Sequence, residues 1–480
     1  MATSPSSENN QLQAAVNKEP FLSISKVADK MGLPCFTIGG FVRDLLLNRP
    51  SKDIDIVVVG SGIDFAQACA EELKVKKVNY FKRFGTAMFR YRDLELEFVG
   101  ARKESYREDS RKPLVEDGSL EDDQNRRDFT INALAISLNQ ATFGSILDSF
   151  DGLKHLEEKI LKTPLSPDIT YSDDPLRMMR AIRFASQLDF TIEQESLDAI
   201  TRNADRLKII SQERITTELN KIILSKKPSK GFKLLFNTGL LAIFFPEMVA
   251  LFGVKERNGI RHKDNFYHTL QVLDNLSEWT DDLWLRWSAI LHDIAKPPTQ
   301  RFHAKAGWTF HGHEDRGARM TPGIFKRLKL PLDHKMKYVQ KLVQLHLRPI
   351  ALTKDGVTDS AIRRLVFDTG DDIDDLMLLC KADITSKNEM KVDRFRKNYE
   401  LVKQKIVEIE EKDHLRNFQP PVSGEEIMER FKLKPCRAIG DLKTALKEAI
   451  LEGEIPNEKE AAEALLEKIA PDIISKYPAQ

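Results

Sequence analysis

The chain has 480 residues, more than one hydrophobic core usually organises, so roughly two to four domains are expected. Its net charge of +1 excludes a globally basic nucleic-acid binder, and its 41% apolar residues can fill buried cores. The four cysteines lie far apart without CxxC spacing, which argues against a disulfide framework or a cysteine zinc site and predicts a reducing, cytoplasmic location.

The start of the chain is polar, and we interpret residues 1–20 as a flexible tail that lacks the apolar segment of a secretion signal. Nowhere does the sequence hold about 18 consecutive apolar residues, the length that a membrane-spanning helix needs. The sequence therefore predicts a protein that is neither secreted nor membrane-spanning.

Strand and helix signals alternate up to about residue 150 and predict a small α/β domain with a mixed sheet. The expected order is helix, strand, helix, strand, helix and hairpin, at 21–34, 35–40, 42–48, 53–60, 65–74 and 86–102. The acidic stretch 105–124 has no apolar period and predicts a mobile loop. After about residue 150 strand signals nearly vanish, so an all-α body is expected.

Two glycines, an arginine and two aspartates are crowded into one strand-turn-strand segment, "GGFVRDLLLNRPSKDIDIVV". Asp53 and Asp55 lie two apart on a predicted strand, so their carboxylates share a face and can hold a hard cation such as Mg²⁺. Gly39 and Gly40 let a backbone approach phosphate oxygens, and Arg43 adds a charge-assisted contact. Each feature alone suits an ordinary turn or strand end, but together they predict a polyanionic ligand.

A third carboxylate is expected on the predicted hairpin, where Glu95 and Glu97 alternate with apolar residues. Glu97, which precedes the apolar Phe98 and Val99, is the better candidate for a second-metal ligand. The alternative is a glutamate that simply faces solvent on the strand.

The segment quoted above and "RRDFTINALA" at 126–135 resemble the class II nucleotidyltransferase family of bacterial tRNA CCA-adding enzymes and poly(A) polymerases. The resemblance covers about 21–240. It implies an α/β head in which Asp53 and Asp55 bind two Mg²⁺ and Glu97 supplies the third catalytic carboxylate.

The second of these motifs has its own implied roles. By resemblance, Asp128 and Asn132 position the nucleotide ribose, while Arg126 and Arg127 face phosphates. From the residues alone, the two arginines that follow an acidic stretch are equally compatible with a salt-bridged hinge.

A third motif, "DDPLRMMRAIRFA" at 173–185, resembles the EDxxR motif of the same family with Asp173 in place of the glutamate. We expect Asp174 and Arg177 to lie on one helical face, where an acceptor and a donor fork can match the edge of a cytosine or an adenine. The resemblance implies that they read the incoming CTP or ATP, with Arg180 also binding the nucleotide. A surface ion pair is the alternative.

The segment that follows is basic and helical. "SQERITTEL" at 211–219 resembles the family motif that steadies the base-reading helices, and 202–233 holds nine bases against three acids. Such a stripe suits the phosphates of tRNA, although it is also typical of a solvated helix face.

Eight of the ten histidines lie between 262 and 346. Imidazoles on separate predicted helices, together with an adjacent His-Asp pair, are typical ligands for a transition metal such as Mn²⁺, Ni²⁺ or Zn²⁺. The pattern resembles an HD phosphohydrolase domain, which implies the metal ligands His268, His292, Asp293, His313, His346 and Asp383. A degenerate domain that only extends the RNA-binding body is the alternative.

The predicted domains are a nucleotidyltransferase head at 21–165, a helical nucleotide- and RNA-binding neck at 166–240, a helical HD domain at 241–415 and a helical tail at 416–480. The predicted activity is the addition of C, C and A to tRNA 3′ ends from CTP and ATP. Poly(A) polymerase and CC-only or A-only addition remain open, although the acidic 105–124 segment favours full CCA addition. A phosphodiesterase or phosphatase with a nucleotide- or RNA-binding head is the rival from another class.

Overall fold

The computed structural model describes residues 12–82, 85–107, 110–352, 358–385, 389–413 and 419–477. The chain forms two compact units, Met1–Phe244 and Phe245–Gln480, which are called unit 1 and unit 2 below. The predicted fold class, an α/β head followed by a helical body, is confirmed. None of the helices in the described ranges has the length and apolar character to cross a membrane.

Unit 1 is built on a seven-stranded mixed sheet in the order β3-β4-β5-β2-β1-β8-β9. Among the described residues of this sheet, β2 and β5 pair in parallel and the other neighbouring strands pair antiparallel. The strands of unit 1 are β1 Cys35–Ile38, β2 Asp53–Val58, β3 Asn79–Phe81, β4 Thr86–Tyr91, β5 Leu94–Gly100, β6 Arg102–Arg107, β7 Ser110–Asp117, β8 Ala135–Ser137, β9 Ile146–Leu147, β10 Ile160–Leu161 and β11 Thr191–Ile192.

Eleven labelled helices accompany these strands in the described part of unit 1. They are α1 Phe21–Met31, α2 Gly40–Leu46, α3 Gly62–Glu72, α4 Leu120–Asn125, α5 Gly152–Glu157, α6 Pro167–Asp173, α7 Leu176–Leu188, α8 Gln194–Asn203, α9 Gln212–Ile223, α10 Pro228–Asn237 and α11 Leu240–Phe244. Short 3₁₀ segments lie at Thr130–Asn132, Gln140–Thr142 and Ala204–Ile209.

Alternation along β2 separates the core from the carboxylates. Ile54, Ile56 and Val58 are buried on the sheet face that α1 and α3 cover. Because side chains alternate along a strand, Asp53 and Asp55 must point to the opposite face. The same argument applies to β5, so the acidic residues of both strands share one face.

Two predictions about irregular segments are wrong. Residues 12–16 are helical rather than part of a flexible tail, and Leu12 and Val16 are buried in the core of unit 1; their i,i+4 spacing was hidden among polar neighbours. Residues 1–11 of that tail lie outside the described residues. The predicted mobile loop at 105–124 instead belongs to the antiparallel pair β6-β7 and to α4. This two-stranded sheet is separate from the main sheet, so it needs no apolar period.

In its described residues, unit 2 is helical apart from two short hairpins. Its helices are α12 Pro246–Ala250, α13 Asn265–Ser277, α14 Leu283–Leu291, α15 Lys296–Thr299, α16 His313–Arg327, α17 His334–Leu345, α18 Arg348–Leu352, α19 Asp359–Thr369, α20 Ile373–Asp383, α21 Glu389–Asp413, α22 Gly424–Phe431, α23 Arg437–Glu452 and α24 Lys459–Ile474. The nearly all-apolar α14 is buried, and the last three helices share a small core of their own.

The hairpins of unit 2 were not predicted. They pair β12 Glu256–Arg257 with β13 Ile260–Arg261, and β14 Arg301–His303 with β15 Gly307–Thr309. The first turns through Asn258 and Gly259, both with positive φ, and Asn-Gly is a strong signal for such a two-residue turn. These strands are too short for an alternating pattern to stand out.

Candidate functional site

Asp53 and Asp55 lie opposite Glu95 and Glu97 in the parallel register of β2 and β5. Glu95 pairs with Arg90 at 3.2 Å, whereas Glu97 lines the same cavity as Asp55. Burial and neighbouring carboxylates raise the pKa of Asp55 despite the opposing charge of Arg127. Burial and the charge of Asp55 likewise raise the pKa of Glu97. Negative charges are therefore concentrated at this point of the sheet. Glu97 is better placed than Glu95 to act as the third carboxylate beside Asp55.

These oxygen donors fit a hard divalent cation, because mutual repulsion among carboxylates is relieved when a cation binds between them. The three carboxylates are spaced too widely to form a compact ligand set by themselves. In the described residues, the sets of three ligand atoms within 4.8 Å of one another are all in unit 2, so Asp53, Asp55 and Glu97 do not form such a set.

Gly39 occupies a position that only glycine fills without strain. Its φ is +84°, and a Cβ there would lie 2.7 Å from Nη1 of Arg127. The close approach to the backbone that the sequence predicted is therefore present, next to the start of α2 at Gly40.

Asp128, Asn132, Arg43 and Arg180 form one hydrogen-bonded network. Asn132 Nδ2 donates to Asp128 Oδ1 at 2.9 Å, and Arg43 Nη1 donates to Asn132 Oδ1 at 2.7 Å. Arg180 Nε donates to Asp128 Oδ2 at 2.7 Å. Arg43 also donates to the carboxylate of Asp44, which holds the guanidinium in place beside Asn132. The predicted contact of Arg43 with a phosphate stays a prediction.

The ion pair of Asp128 predicts a specific pH dependence of stability. Burial alone would raise the pKa of Asp128, but Arg180 and Asn132 outweigh it and hold that pKa at about 2. A lowered pKa stabilises the fold above the unfolded value near pH 4, and this contribution is lost as the pH falls towards 2. The free energy of unfolding of wild type should therefore fall by about 2–3 kcal/mol relative to Asp128→Asn over that window, as measured by denaturant titration with far-UV circular dichroism. Parallel curves for the two proteins would contradict the ion pair.

The prediction that Asp174 and Arg177 share a helix is wrong. Asp174 is extended between α6 and α7, with φ −130° and ψ 98°, because the following Pro175 disfavours helical backbone at the residue before it. Arg177 lies in the first turn of α7, is 9% exposed and donates to the carbonyls of Arg126 and Thr170. The two side chains nevertheless line one cavity, together with Arg180.

That cavity has a volume of about 460 Å³, and an adjoining one has about 430 Å³. Asp55, Arg127, Asp128 and Arg180 line both. The first reaches from Glu97 to the Asp174 and Arg177 pair, and the second reaches Gly40, Arg43 and Asn132. The structure thus places most of the predicted head residues around one continuous site; Asp53 lies beside Asp55 outside the lining.

Asp123 was missed by sequence reasoning. It is fully buried, and Arg127 Nη2 contacts its Oδ2 at 3.1 Å while Arg126 contacts its Oδ1. The two arginines lie three and four residues after it on one helical turn, a spacing that could have revealed the pairs. The ion pairs of the alternative interpretation are therefore present, and both arginines also line the larger cavity.

Arg183 and Glu218 form a second buried pair that was missed, at 3.1 Å. The guanidinium of Arg183 lies 4.0 Å from the ring centroid of Phe184, over which Arg43 and Arg180 also stack. Arg183 belongs to α7 and Glu218 to α9, so this ion pair links the two helices.

All six predicted HD residues converge in unit 2. Each lies at or near a helix end, and the ligand atoms fall into the sets His268, His292, Asp383 and Asp293, His313, His346, each within 4.8 Å. Asp293 joins the sets, since its carboxylate lies 3.3 Å from His268 Nε2, 3.2 Å from His292 Nε2 and 3.2 Å from His313 Nε2.

The ring orientations fit metal binding. The Nδ1 atoms of His292, His313 and His346 each lie 2.7 Å from a backbone carbonyl, which can only accept a hydrogen bond. Nδ1 is therefore the protonated nitrogen, and Nε2 presents its lone pair to the cluster. Nε2 of His292 and of His313 are buried without a hydrogen-bond partner, which is the state expected of a ligand atom.

Charges in the cluster reinforce this arrangement. Burial opposes ionisation of Asp293, but His292 and Lys296 outweigh it and lower its pKa. Burial lowers the pKa of His346 to about 3. Burial would also lower the pKa of His268, but its contacts with Asp293 and Asp383 raise it. The cluster thus favours ionised carboxylates beside a neutral His346.

Family models match the parts of the chain that hold the two candidate sites. The family described as poly A polymerase head domain matches residues 35–162, the probable RNA and SrmB-binding site of polymerase A matches 189–251, and the HD domain matches 265–388. The fold and site thus define a nucleotidyltransferase head with a helical HD domain.

Curated relatives extend the comparison. The A-adding tRNA nucleotidyltransferase of Geobacter sulfurreducens is 35% identical over 55% of this chain, which spans only 28% of that relative. The CC-adding tRNA nucleotidyltransferase of Thermus thermophilus is 30% identical over 90% of this chain and 93% of its own length. The chain belongs to the tRNA nucleotidyltransferase and poly(A) polymerase family. The Bacillus stearothermophilus CCA-adding enzyme in complex with CTP shares the fold, with a TM-score of 0.68, 22% identity and coverage of 96% of this chain and 100% of that one.

Proposed function

We propose that this chain adds C, C and A to tRNA 3′ ends from CTP and ATP without a nucleic-acid template. The observation that supports the proposal most is that one cavity in unit 1 is lined both by the carboxylates of Asp55 and Glu97 and by Asp174 with Arg177. A site of this kind can hold a nucleotide by its base and keep its α-phosphate beside the carboxylates.

In the proposed mechanism, Asp53, Asp55 and Glu97 hold divalent cations, with Mg²⁺ as the expected ion. Such ions stabilise the charge on the attacking and leaving oxygens of a phosphoryl displacement. The terminal hydroxyl of the RNA attacks the α-phosphate, and pyrophosphate leaves. Asn132, fixed at both ends by Asp128 and Arg43, is pre-oriented to hydrogen-bond the ribose.

CC-only, A-only and poly(A) addition are the alternatives, since relatives named for A addition and for CC addition both match this chain. The described residues of 105–124 form part of the β6-β7 pair and α4, and the presence of this acidic segment is what favours full CCA addition in the proposal. Purified protein, tested on tRNA transcripts ending before CC, after C and after CC with CTP, ATP or both, separates the four activities. Failure to add C to the shortest transcript would exclude the proposal.

Nucleotide choice is expected to depend on Asp174. Asp174→Asn replaces one carboxylate acceptor by an amide nitrogen, so an exocyclic amine loses an acceptor. We expect discrimination of CTP and ATP against UTP and GTP to fall by roughly 5- to 150-fold, since a good base contact is worth about 1–3 kcal/mol. The measurement is kcat/KM for each nucleotide, and Asp173→Asn is the matched control because Asp173 lines neither cavity. Unchanged discrimination in Asp174→Asn would contradict base reading by this residue.

A second function is proposed for the histidine cluster, because the unpartnered Nε2 atoms of His292 and His313 fit a metal. Imidazole with carboxylate favours a transition ion such as Mn²⁺, Ni²⁺ or Zn²⁺ over Mg²⁺. The six side chains of the cluster would hold such an ion, which would supply an activated water for phosphoester hydrolysis. A phosphodiesterase or phosphatase activity is thus expected beside nucleotide addition. We also propose that the domains meet near residues 165, 240 and 415. The proposed location of the protein is the cytoplasm.

A further inference from the structure

The two hairpins of unit 2 form a surface that neither proposed activity uses. We call the segments 255–263 and 301–311, which contain the hairpins, the hairpin face. They contact each other directly, since Trp308 Nε1 donates to the carbonyl of Ile260 at 3.1 Å. A Cβ on Gly307 would lie 3.1 Å from Ile260 Cγ2, so the second hairpin packs closely on the first.

Aromatic rings are concentrated on the hairpin face. Trp308 meets Phe302 edge-on at 5.2 Å between centroids and His262 at 5.6 Å. His262 also meets Phe310, at 5.8 Å. Phe302, Trp308 and Phe310 are all partly exposed, so ring surface is available to a ligand.

The charge of the hairpin face is strongly positive, in a chain that is nearly neutral. The two segments hold six Lys and Arg residues against one acid, Glu256, which is paired with Arg261. The guanidinium of Arg257 stacks over Phe302, 4.9 Å from the ring centroid. Exposed cations interleaved with aromatic rings are the features by which proteins bind single-stranded nucleic acid, since phosphates meet the charges and bases stack on the rings.

The hairpin face ends at the histidine cluster. Lys263 Nζ lies 2.9 Å from His268 Nδ1, and the carbonyl of Phe310 accepts the hydrogen bond of His313 Nδ1. Lys296, which contacts Asp293 at 2.6 Å, lies 5.7 Å from the ring centroid of Phe310. A chain bound along the face would therefore reach the ligand atoms of the cluster.

We propose that the hairpin face binds single-stranded RNA and leads a phosphoester of that RNA to the histidine cluster. The second half of this statement rests on the proposed phosphohydrolase, and the first half does not. RNA is favoured over an acidic protein because rings alternate with cations here, whereas an acidic peptide would need the cations alone.

The first test locates RNA on the full-length protein. A single-stranded RNA of roughly 12 nucleotides with one 4-thiouridine is photo-crosslinked, and the linked peptides are identified by mass spectrometry. We expect crosslinks within 252–267 and 301–311. Crosslinks that are confined to unit 1 would overturn the proposal. Capture of an acidic protein at the hairpin face without any RNA crosslink there would overturn it as well.

The second test uses tryptophan fluorescence, because all four tryptophans lie in unit 2, at 279, 284, 287 and 308. RNA should quench the wild type, and Trp308→Ala should lose most of the quenching and of the crosslinks from this face, with binding to it roughly tenfold weaker. Trp279→Ala is the matched control, since Trp279 is also exposed and stacked by a lysine, Lys381, at 4.3 Å. Equal losses in the two variants would overturn the assignment.

Arg257→Ala guards against a merely misfolded Trp308→Ala variant, because it leaves every ring in place. It should lower the salt dependence of binding to the face by about one unit of slope, while Lys337→Ala, an exposed cation elsewhere in unit 2, should not. An unchanged slope in Arg257→Ala would contradict phosphate binding there.

Hydrolysis gives an independent readout. Trp308→Ala should raise KM for a single-stranded RNA substrate roughly tenfold and leave kinetics on bis(p-nitrophenyl) phosphate unchanged. Equal effects on both substrates would overturn substrate delivery by the face. If wild type hydrolyses neither substrate with any metal, the phosphohydrolase proposal and delivery fail together, whereas crosslinks at the hairpins still establish RNA binding.

Discussion

Asp55→Asn is expected to abolish nucleotide addition without weakening the fold. Loss of a metal-binding carboxylate should lower kcat/KM by roughly a thousandfold or more, about 4 kcal/mol of transition-state stabilisation. Burial and like charges raise the pKa of Asp55, so its ionised form opposes folding at neutral pH. The neutral isostere removes that opposition, and in EDTA its melting temperature should equal or exceed that of wild type.

Added Mg²⁺ separates the two effects. It should raise the melting temperature of wild type more than that of Asp55→Asn, because only a ligand that binds the folded state stabilises it. Asp53→Ala should also lose activity, and Asp93→Ala, in the exposed turn between β4 and β5, is the matched control. Near-normal incorporation by both active-site variants would remove the two-metal assignment.

The double variant His292→Ala, Asp293→Ala is expected to lose all metal-stimulated phosphoester hydrolysis and retain CCA addition. Both side chains are 1% exposed and sit where the two ligand sets meet. The proposed nucleotide site lies in the other compact unit, so its rate should stay within about threefold of wild type. Both reactions should be followed with Mg²⁺, Mn²⁺ and Ni²⁺ in turn.

Controls decide how a loss is interpreted. The variant His334→Ala, Asp315→Ala changes two exposed residues outside both ligand sets and outside the hairpin face, and it should keep both activities. Calorimetric titration of Ni²⁺ in the presence of excess Mg²⁺, which fills the carboxylate site of unit 1, should show binding to this control and to wild type but not to the cluster variant. Loss of nucleotide addition in a well-folded cluster variant would overturn the independence of the two sites, and an inactive wild type would favour a degenerate HD domain.

Local patterns were sufficient to predict the head. The run from Cys35 to Val58 contains a buried strand, a glycine turn, a helix and an alternating strand, and each signal depends on near neighbours in the chain. The placement of Glu97 beside Asp55 could be proposed from alternation, but the parallel register that sets them opposite is a tertiary feature.

The errors have specific physical causes. Pro175 ends a helix that the spacing of Asp174 and Arg177 had predicted to continue, and their proximity comes from packing instead. The β6-β7 pair has no apolar alternation because it stands apart from the main sheet. Convergence of six ligands in unit 2 depends on where five helices end in space, which no local pattern encodes.

The backbone hydrogen bonds of the imidazole rings bear on how this cluster can evolve. His292, His313 and His346 are each held by the carbonyl three residues earlier, so the helix ends orient them whatever side chains lie nearby. His268 differs, because its Nδ1 contacts the side chains of Lys263 and Thr385. Substitutions of the side chains around the first three rings should thus leave metal affinity unchanged. Substitution of Lys263 or Thr385 should instead change the orientation of His268, the fourth imidazole, and with it the metal affinity.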